Sequence, residues 1–197
     1  MLLNRRTFFV KERVAFIKLT DTYDIFDPES GQPIGIAKEE PPGWAKYGRL
    51  LVKKSFLPTV VNVYEDEESP PVVTLKRGFT FLRPKVHVTN AQGAAIGRFE
   101  GKLFSLGGGF FVCDPAGNRV AEIKGDWKGW NFKFLDASGS EIGVVTKQWA
   151  GFGKELFTSA DNYMISLADA APKGTDSAAL LLAAGLAIDI VFKEGKG

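Results

Sequence analysis

The sequence predicts a mainly β chain: a closed antiparallel β-barrel of about twelve strands, built from repeated hairpins and enclosing a C-terminal hydrophobic α-helix. Three observations lead there. One turn pattern recurs along the chain. The segments beside each turn alternate between apolar and polar residues. One apolar run near the C-terminus has no polar face.

The turn pattern is an Asp or Asn followed three or four residues later by Gly. It occurs at Asp27 and Gly31, Asn90 and Gly93, Asp114 and Gly117, and Asp136 and Gly139. The side-chain oxygen of Asp or Asn opens a type I turn, Pro28 and Pro115 fit its next position, and Gly supplies the positive φ that closes a hairpin. A fifth hairpin is expected where Val60–Tyr64 and Val72–Leu75 flank the acidic turn Glu65-Asp66-Glu67-Glu68. Leading strands are expected near residues 7–18 and a late one at 163–167. The alternation in Glu122-Ile123-Lys124 and Phe132-Lys133-Phe134 gives each strand one buried and one wet face. So many antiparallel strands protect their edges by closing, and a barrel of about that size is too wide for its own side chains to fill.

The filler is the apolar run at 178–188, followed by Asp189 and Ile190-Val191-Phe192. It is rich in Ala and Leu, so a helix over about 177–194 is its natural state. Eleven uninterrupted apolar residues fall short of the roughly 18–20 that cross a bilayer. A helix apolar on nearly all faces and too short for lipid is expected to be wrapped by its own chain. Asp189 is then expected where the helix emerges, paired with Lys193 one turn on.

Composition excludes much else. With 197 residues, the whole chain 1–197 is expected to form one domain. Twenty-five Lys and Arg against 23 Asp and Glu leave a charge of +2, no field for nucleic acid. One cysteine excludes an internal disulfide and suits a reducing, cytoplasmic setting. Cys113 reads as a small buried filler. Arg5-Arg6 is followed too soon by Glu12 and Arg13 to be an export signal, so residues 7–18 read as strand. Gly107-Gly108-Gly109 lacks the Lys-Ser/Thr of a phosphate loop and reads as a bend. A single His87 beside Lys85 on an alternating strand supports no triad. No catalytic residue, metal ligand or cofactor is expected, and the chain is read as a non-enzyme.

Two groups of residues could meet an anionic surface. Lys124, Trp127, Lys128 and Trp130, with Lys147 and Trp149 nearby, form an aromatic and basic set suited to lipid headgroups. Lys53, Lys54, Lys76, Arg77, Arg83 and Lys85 form a second basic set. The same charges also suit the wet faces of ordinary strands.

The run KQWAGFGKELFTSADNY at 147–163 and the run AAGLAIDIVFKE at 183–194 resemble the signature of the phospholipid scramblase family. The resemblance extends through YDIFDP at 23–28 and KGDWKGW at 124–130, covering nearly the whole chain, and is looser before residue 80. The plant LURP-one-related group and the Tubby C-terminal domain are related. The resemblance implies a closed barrel around a hydrophobic helix, and calcium-dependent movement of phospholipid between leaflets. Where the family's proposed calcium loop would fall, Asp161 and Asp169 are the carboxylates, with Ser166 and Pro172 at positions that want Gly and a bidentate acid. The acylated cysteine cluster of some members is absent.

The expected function is therefore a cytoplasmic, non-enzymatic module that binds anionic phospholipid peripherally at a membrane surface. Genuine scrambling of lipids between leaflets, and a regulatory role through binding another protein, are the alternatives.

Overall fold

The computed structural model describes residues 1–13, 20–53, 56–79, 83–102, 108–126, 129–147 and 162–193. Twelve strands run in order from β1 (Thr7–Glu12), β2 (Thr22–Phe26), β3 (Pro33–Glu39) and β4 (Thr59–Tyr64) to β5 (Val73–Arg77) and β6 (Lys85–Asn90). They continue with β7 (Ala95–Gly101), β8 (Gly109–Cys113), β9 (Arg119–Asp126), β10 (Asn131–Asp136), β11 (Glu141–Thr146) and β12 (Asn162–Leu167). A short helix, α1 (Gly43–Gly48), lies between β3 and β4, and a longer one, α2 (Thr175–Ile188), follows β12. Every strand pairs antiparallel with its sequence neighbours, and β1 closes the barrel on β12, Val10 opposite Tyr163.

The hairpin turns form as their chemistry dictates. Asp114 accepts from Asn118 N at 2.8 Å, Asp136 from Ser140 N at 2.9 Å and Asn90 from Ala94 N at 3.0 Å. Gly93, Gly117 and Gly139 carry φ of 75°, 96° and 85°. The ladder shifts register beside several of these turns, between Val88 and Thr89 and between Phe134 and Leu135 for example. A type I turn closed by a left-handed residue and a bulge has this form.

The interior is mainly apolar, with Phe8, Ile25, Val63, Leu75, Phe99, Phe110, Ile123 and Phe132 essentially inaccessible. Helix α2 fills it, and Ala179, Leu182, Ala183, Ala184, Leu186 and Ala187 are buried. Close approach is arranged by small residues. A Cβ on Gly97 would lie 2.9 Å from Leu180 of the helix, and one on Gly143 3.0 Å from Leu181. In the reverse direction, a Cβ on Gly185 would lie 2.4 Å from Cδ1 of Ile165. Gly185 lowers helix propensity by about 1 kcal/mol, yet it is the position that lets α2 seat against β12.

The meander sends its connections alternately to two ends. The tight Asx turns after the even-numbered strands, with residues 168–174 that enter α2, lie at one end, called here the turn end. The odd-numbered strands finish and the even-numbered strands begin at the other, the loop end, where α2 finishes in a π turn, Asp189–Lys193. Asp189 does not emerge there as the sequence reading expects. It is 4% exposed and accepts from the Tyr23 hydroxyl at 2.5 Å. The barrel wall reaches past it, so a side chain near the chain end is still inside.

Residues 162–167, where the family's proposed calcium loop would fall, form β12, paired on both edges. A strand in a two-sided ladder cannot wrap its side chains around one ion. Asp161 lies outside the described residues. Cys113 is buried, as expected of a filler, and His87 faces outward opposite Lys76.

Candidate functional site

The topology brings together what the sequence separates. Lys53 follows α1, Lys76 lies near the end of β5, Arg83 and Lys85 open β6, Lys124 lies near the end of β9, and Trp130 precedes β10. All of them lie toward the loop end, because odd-numbered strands finish there and even-numbered ones begin there. Lys54, Trp127 and Lys128 lie outside the described residues.

These residues are not equivalent. Lys53, Lys76 and Arg83 are exposed and make no ion pair among the described residues. Lys85 lies 3.7 Å from Glu100, and Lys124 lies 3.0 Å from Glu122, which Lys102 also contacts. That shared pairing lowers the Glu122 carboxyl below its ordinary value against the opposing effect of partial burial. Trp130 is half-buried: its ring stacks on Tyr163 at 5.4 Å between centroids, and Lys147 Nζ lies 4.4 Å from its centre. Its backbone φ of 47° is unusual for a residue with a Cβ, and the Tyr163 stack holds it there.

Arg77 is a correction. The sequence places it in the basic surface set, but it is 3% exposed. Strand alternation turns Lys76 outward and Arg77 inward. Its guanidinium donates to the carbonyl of Ile190 at 2.8 Å and to that of Leu57 at 3.3 Å. It therefore satisfies the end of α2, where free carbonyls and the negative end of the helix dipole favour a cation.

The sequence reading missed the most exposed part of the loop end. In and after α1, Trp44 is 64% exposed, Tyr47 69%, Leu50 70% and Leu51 89%, with Val52 and Phe79 also exposed. Lys46 and Lys53 are exposed among them. No Asp or Glu occurs between Glu40 and Glu65. At the root of this connection Arg49 is almost wholly buried and held by Glu39 at 2.6 Å and by Thr59 at 3.0 Å. Ala45 is buried beneath it. The greasy residues thus project from an anchored turn, not from a free strand end. The signal available in the sequence was the acid-free stretch of aromatic, aliphatic and basic residues, but α1 is too short to show a helical period.

Asp27, Glu65 to Glu68, Asp114 and Asp136 occupy the turn end. The loop end carries Lys53, Lys76, Arg83 and the exposed apolar side chains together with Glu40, Glu100 and Asp126, and Arg5, Arg6 and Lys173 lie at the turn end. No described helix is long and apolar enough to cross a membrane, and no group of three or more potential metal ligands occurs among the described residues.

Comparison with curated proteins gives no match, and comparison with solved structures gives none. The profile of the family described as Scramblase matches residues 20–195, nearly the whole chain. With that match over nearly its whole length, and the barrel and buried helix already described, the chain belongs to the Scramblase family.

Proposed function

We infer that the protein is a peripheral module that docks its loop end on an anionic phospholipid surface. The observation that carries this reading is the segment from Trp44 to Lys53, where exposed aromatic and aliphatic side chains accompany Lys46 and Lys53 and no carboxylate intervenes. Each Leu-sized side chain removed from water contributes roughly 1.5–3 kcal/mol. Each Lys beside an anionic leaflet contributes about 1 kcal/mol, and Trp and Tyr favour the interface itself. Lys76 and Arg83, on the neighbouring strands, add to the same rim.

The wall of the barrel supports docking by the end in preference to immersion of the strands. Lys76, Lys85, His87 and Lys133 point outward from β5, β6 and β10, where a membrane-spanning barrel carries an apolar band. The test is co-sedimentation with vesicles of phosphatidylcholine alone and with added phosphatidylserine, across a salt titration. Binding that needs phosphatidylserine and weakens with salt supports the reading. Equal partition to both vesicles, or none, removes it.

Family membership favours a second reading, movement of lipid between leaflets. A fluorescent-lipid leaflet assay on reconstituted vesicles, with and without calcium, decides between binding and transfer.

A further inference from the structure

Helix α2 is not centred in the barrel. Its closest packing is against β12, against the N-terminal turn Leu2–Asn4, and against β5, β6 and β7. Toward β9 and β10, which lie between β12 and β7 in the barrel, its first two turns leave part of the wall uncovered, while Leu181 still reaches Gly143 of β11. The gap is a half-open crevice of about 280 Å³ at the turn end. Leu180 and Leu181 of the helix form one side, and Val112, Ala121, Phe134 and Ile142 form the other. Its lining is overwhelmingly apolar. Val120 at its mouth is 43% exposed, unusual for a Val beside a core. A volume close to 300 Å³ is at the lower bound of small-molecule sites, and apolar cavities of this kind take up apolar guests.

A second cleft, of about 320 Å³, adjoins it, with Leu167 lining both. This one is polar. Arg5, Arg6 and Lys173 line it, together with Gly174 and Thr175 at the start of α2. Gly174 offers no side chain to cap the first-turn N–H groups. Lys173 is exposed without an ion pair among the described residues. Arg5 pairs with Asp27 at 3.3 Å and Arg6 donates to the carbonyl of Ala168, next to Leu167 in the lining, while Asp176 in the first turn of α2 is a nearby carboxylate. Asp136, at the rim of the crevice, already serves Ser138 N and Ser140 N in its own turn.

An apolar slot beside a cationic cleft matches a molecule with one hydrocarbon chain and one anionic head. We propose that this crevice binds a single-chain lipid with a phosphate headgroup, the chain lying between α2 and β9–β11 and the phosphate meeting Arg5, Arg6, Lys173 and the start of α2. The apolar part supplies affinity and the cationic part orientation. The site lies at the end of the barrel away from Trp44 and Leu51, and the proposal holds whether or not the loop end docks on a bilayer.

The test is calorimetric titration of the full chain with 1-decanoyl-lysophosphatidate below its micelle concentration, beside neutral monodecanoylglycerol and glycerol 3-phosphate. Saturable one-to-one binding of the lysophosphatidate is expected, with the neutral lipid weaker and glycerol phosphate weaker still. Ala121→Phe fills the slot and is expected to weaken binding about tenfold or more while the melting temperature holds or rises. Val120→Trp narrows the mouth without entering the core, and it serves if Ala121→Phe does not fold. Lys173→Glu is expected to weaken the lysophosphatidate about threefold or more and leave the neutral lipid unchanged. Leu51→Ser, which addresses the loop end, is expected to leave this binding intact. Wild-type affinity in a folded Ala121→Phe or Val120→Trp chain, equal affinity for the neutral lipid, or no saturable binding would overturn the assignment.

Discussion

The hydroxyl of Tyr23 donates to Asp189 Oδ2 at 2.5 Å, joining the start of β2 to the last turn of the central helix across 166 residues of sequence. Both groups are buried. Burial, and after it the nearby Asp189, holds the Tyr23 phenol far above its ordinary value, so it stays a donor at any physiological pH. Glu12, opposite Tyr23 on β1, and Tyr163 complete a polar cluster inside a mainly apolar barrel. The Tyr163 hydroxyl has no hydrogen-bond partner there.

Tyr23→Phe removes a donor from a buried carboxyl group and is expected to cost about 1.5–3 kcal/mol of stability. Tyr163→Phe removes a hydroxyl that bonds nothing and is expected to be neutral or slightly stabilising. Urea unfolding of the two variants, compared with wild type, checks the contrast. Equal losses would mean that the Tyr163 hydroxyl is bonded as firmly as that of Tyr23.

Lys76 and Arg77 are adjacent in sequence and opposite in role. Arg77→Ala strips the donors from the carbonyls of Ile190 and Leu57 and is expected to cost about 3 kcal/mol. Lys76→Ala is expected to leave the melting temperature within a degree or so, since isolated surface charges contribute little. It is also expected to weaken binding to phosphatidylserine vesicles. Thermal melts and vesicle sedimentation on the same pair of variants separate the inward residue from the outward one.

If the loop end enters the interface, Trp44 moves from water to a less polar medium. With Trp44 as the reporter in a chain whose other three tryptophans are Phe, phosphatidylserine vesicles are expected to shift its emission to the blue. Brominated lipid is expected to quench it. Replacing Leu50 and Leu51 together by Ser is expected to reduce partition about tenfold or more, from the lost apolar burial. An unchanged Trp44 spectrum on bound vesicles would place the contact elsewhere on the barrel.

The turn-end carboxylates make stability depend on acid pH. The side chains of Ser30, Ser69, Asn118 and Ser138 are foremost in holding Asp27, Asp66, Asp114 and Asp136 below their ordinary value of 3.8. A depressed carboxyl stabilises the fold fully above the unfolded value and loses that contribution as pH falls through the folded one. The melting temperature is therefore expected to stay level down to about pH 5 and to fall below about pH 4 as these groups protonate. Asp136→Asn keeps an acceptor in the turn but cannot titrate, so its acid-side decline is expected to be shallower.

Cys113 closes β8 with its side chain buried, and burial raises its thiol above the ordinary value, with Glu100 adding to the rise. A buried neutral thiol is a poor nucleophile. Native protein at pH 8 is expected to react negligibly with a disulfide reagent over minutes, and guanidinium-unfolded protein to give one equivalent. Prompt reaction in the native state would mean that β8 opens.

Local chemistry made the barrel legible in the sequence. Asp114 to Gly117 and Asp136 to Gly139 specify their turns through their own side-chain oxygens and a positive φ, whatever the rest of the chain does. Alternation beside those turns fixes which residues face in. The run from 178 to 188 declares by its lack of a polar face that something must surround it. The family resemblance agreed with this reading, and the matched profile bears it out.

Only the closed tertiary structure decided the rest. It turned Arg77 onto the helix end and enclosed Asp189 beneath Tyr23, because burial at a barrel mouth depends on how far the opposite wall extends, which no local pattern encodes. It gathered Lys53, Lys76 and Arg83 on one rim with Trp44 and Leu51, because a meander collects every second connection at the same end. It also left α2 off centre, opening a crevice that depends on where Gly97, Gly143 and Gly185 let the helix settle. Turns and periodicity are set by neighbours in the chain, whereas enclosure and gaps are set by residues that meet only when the sheet closes.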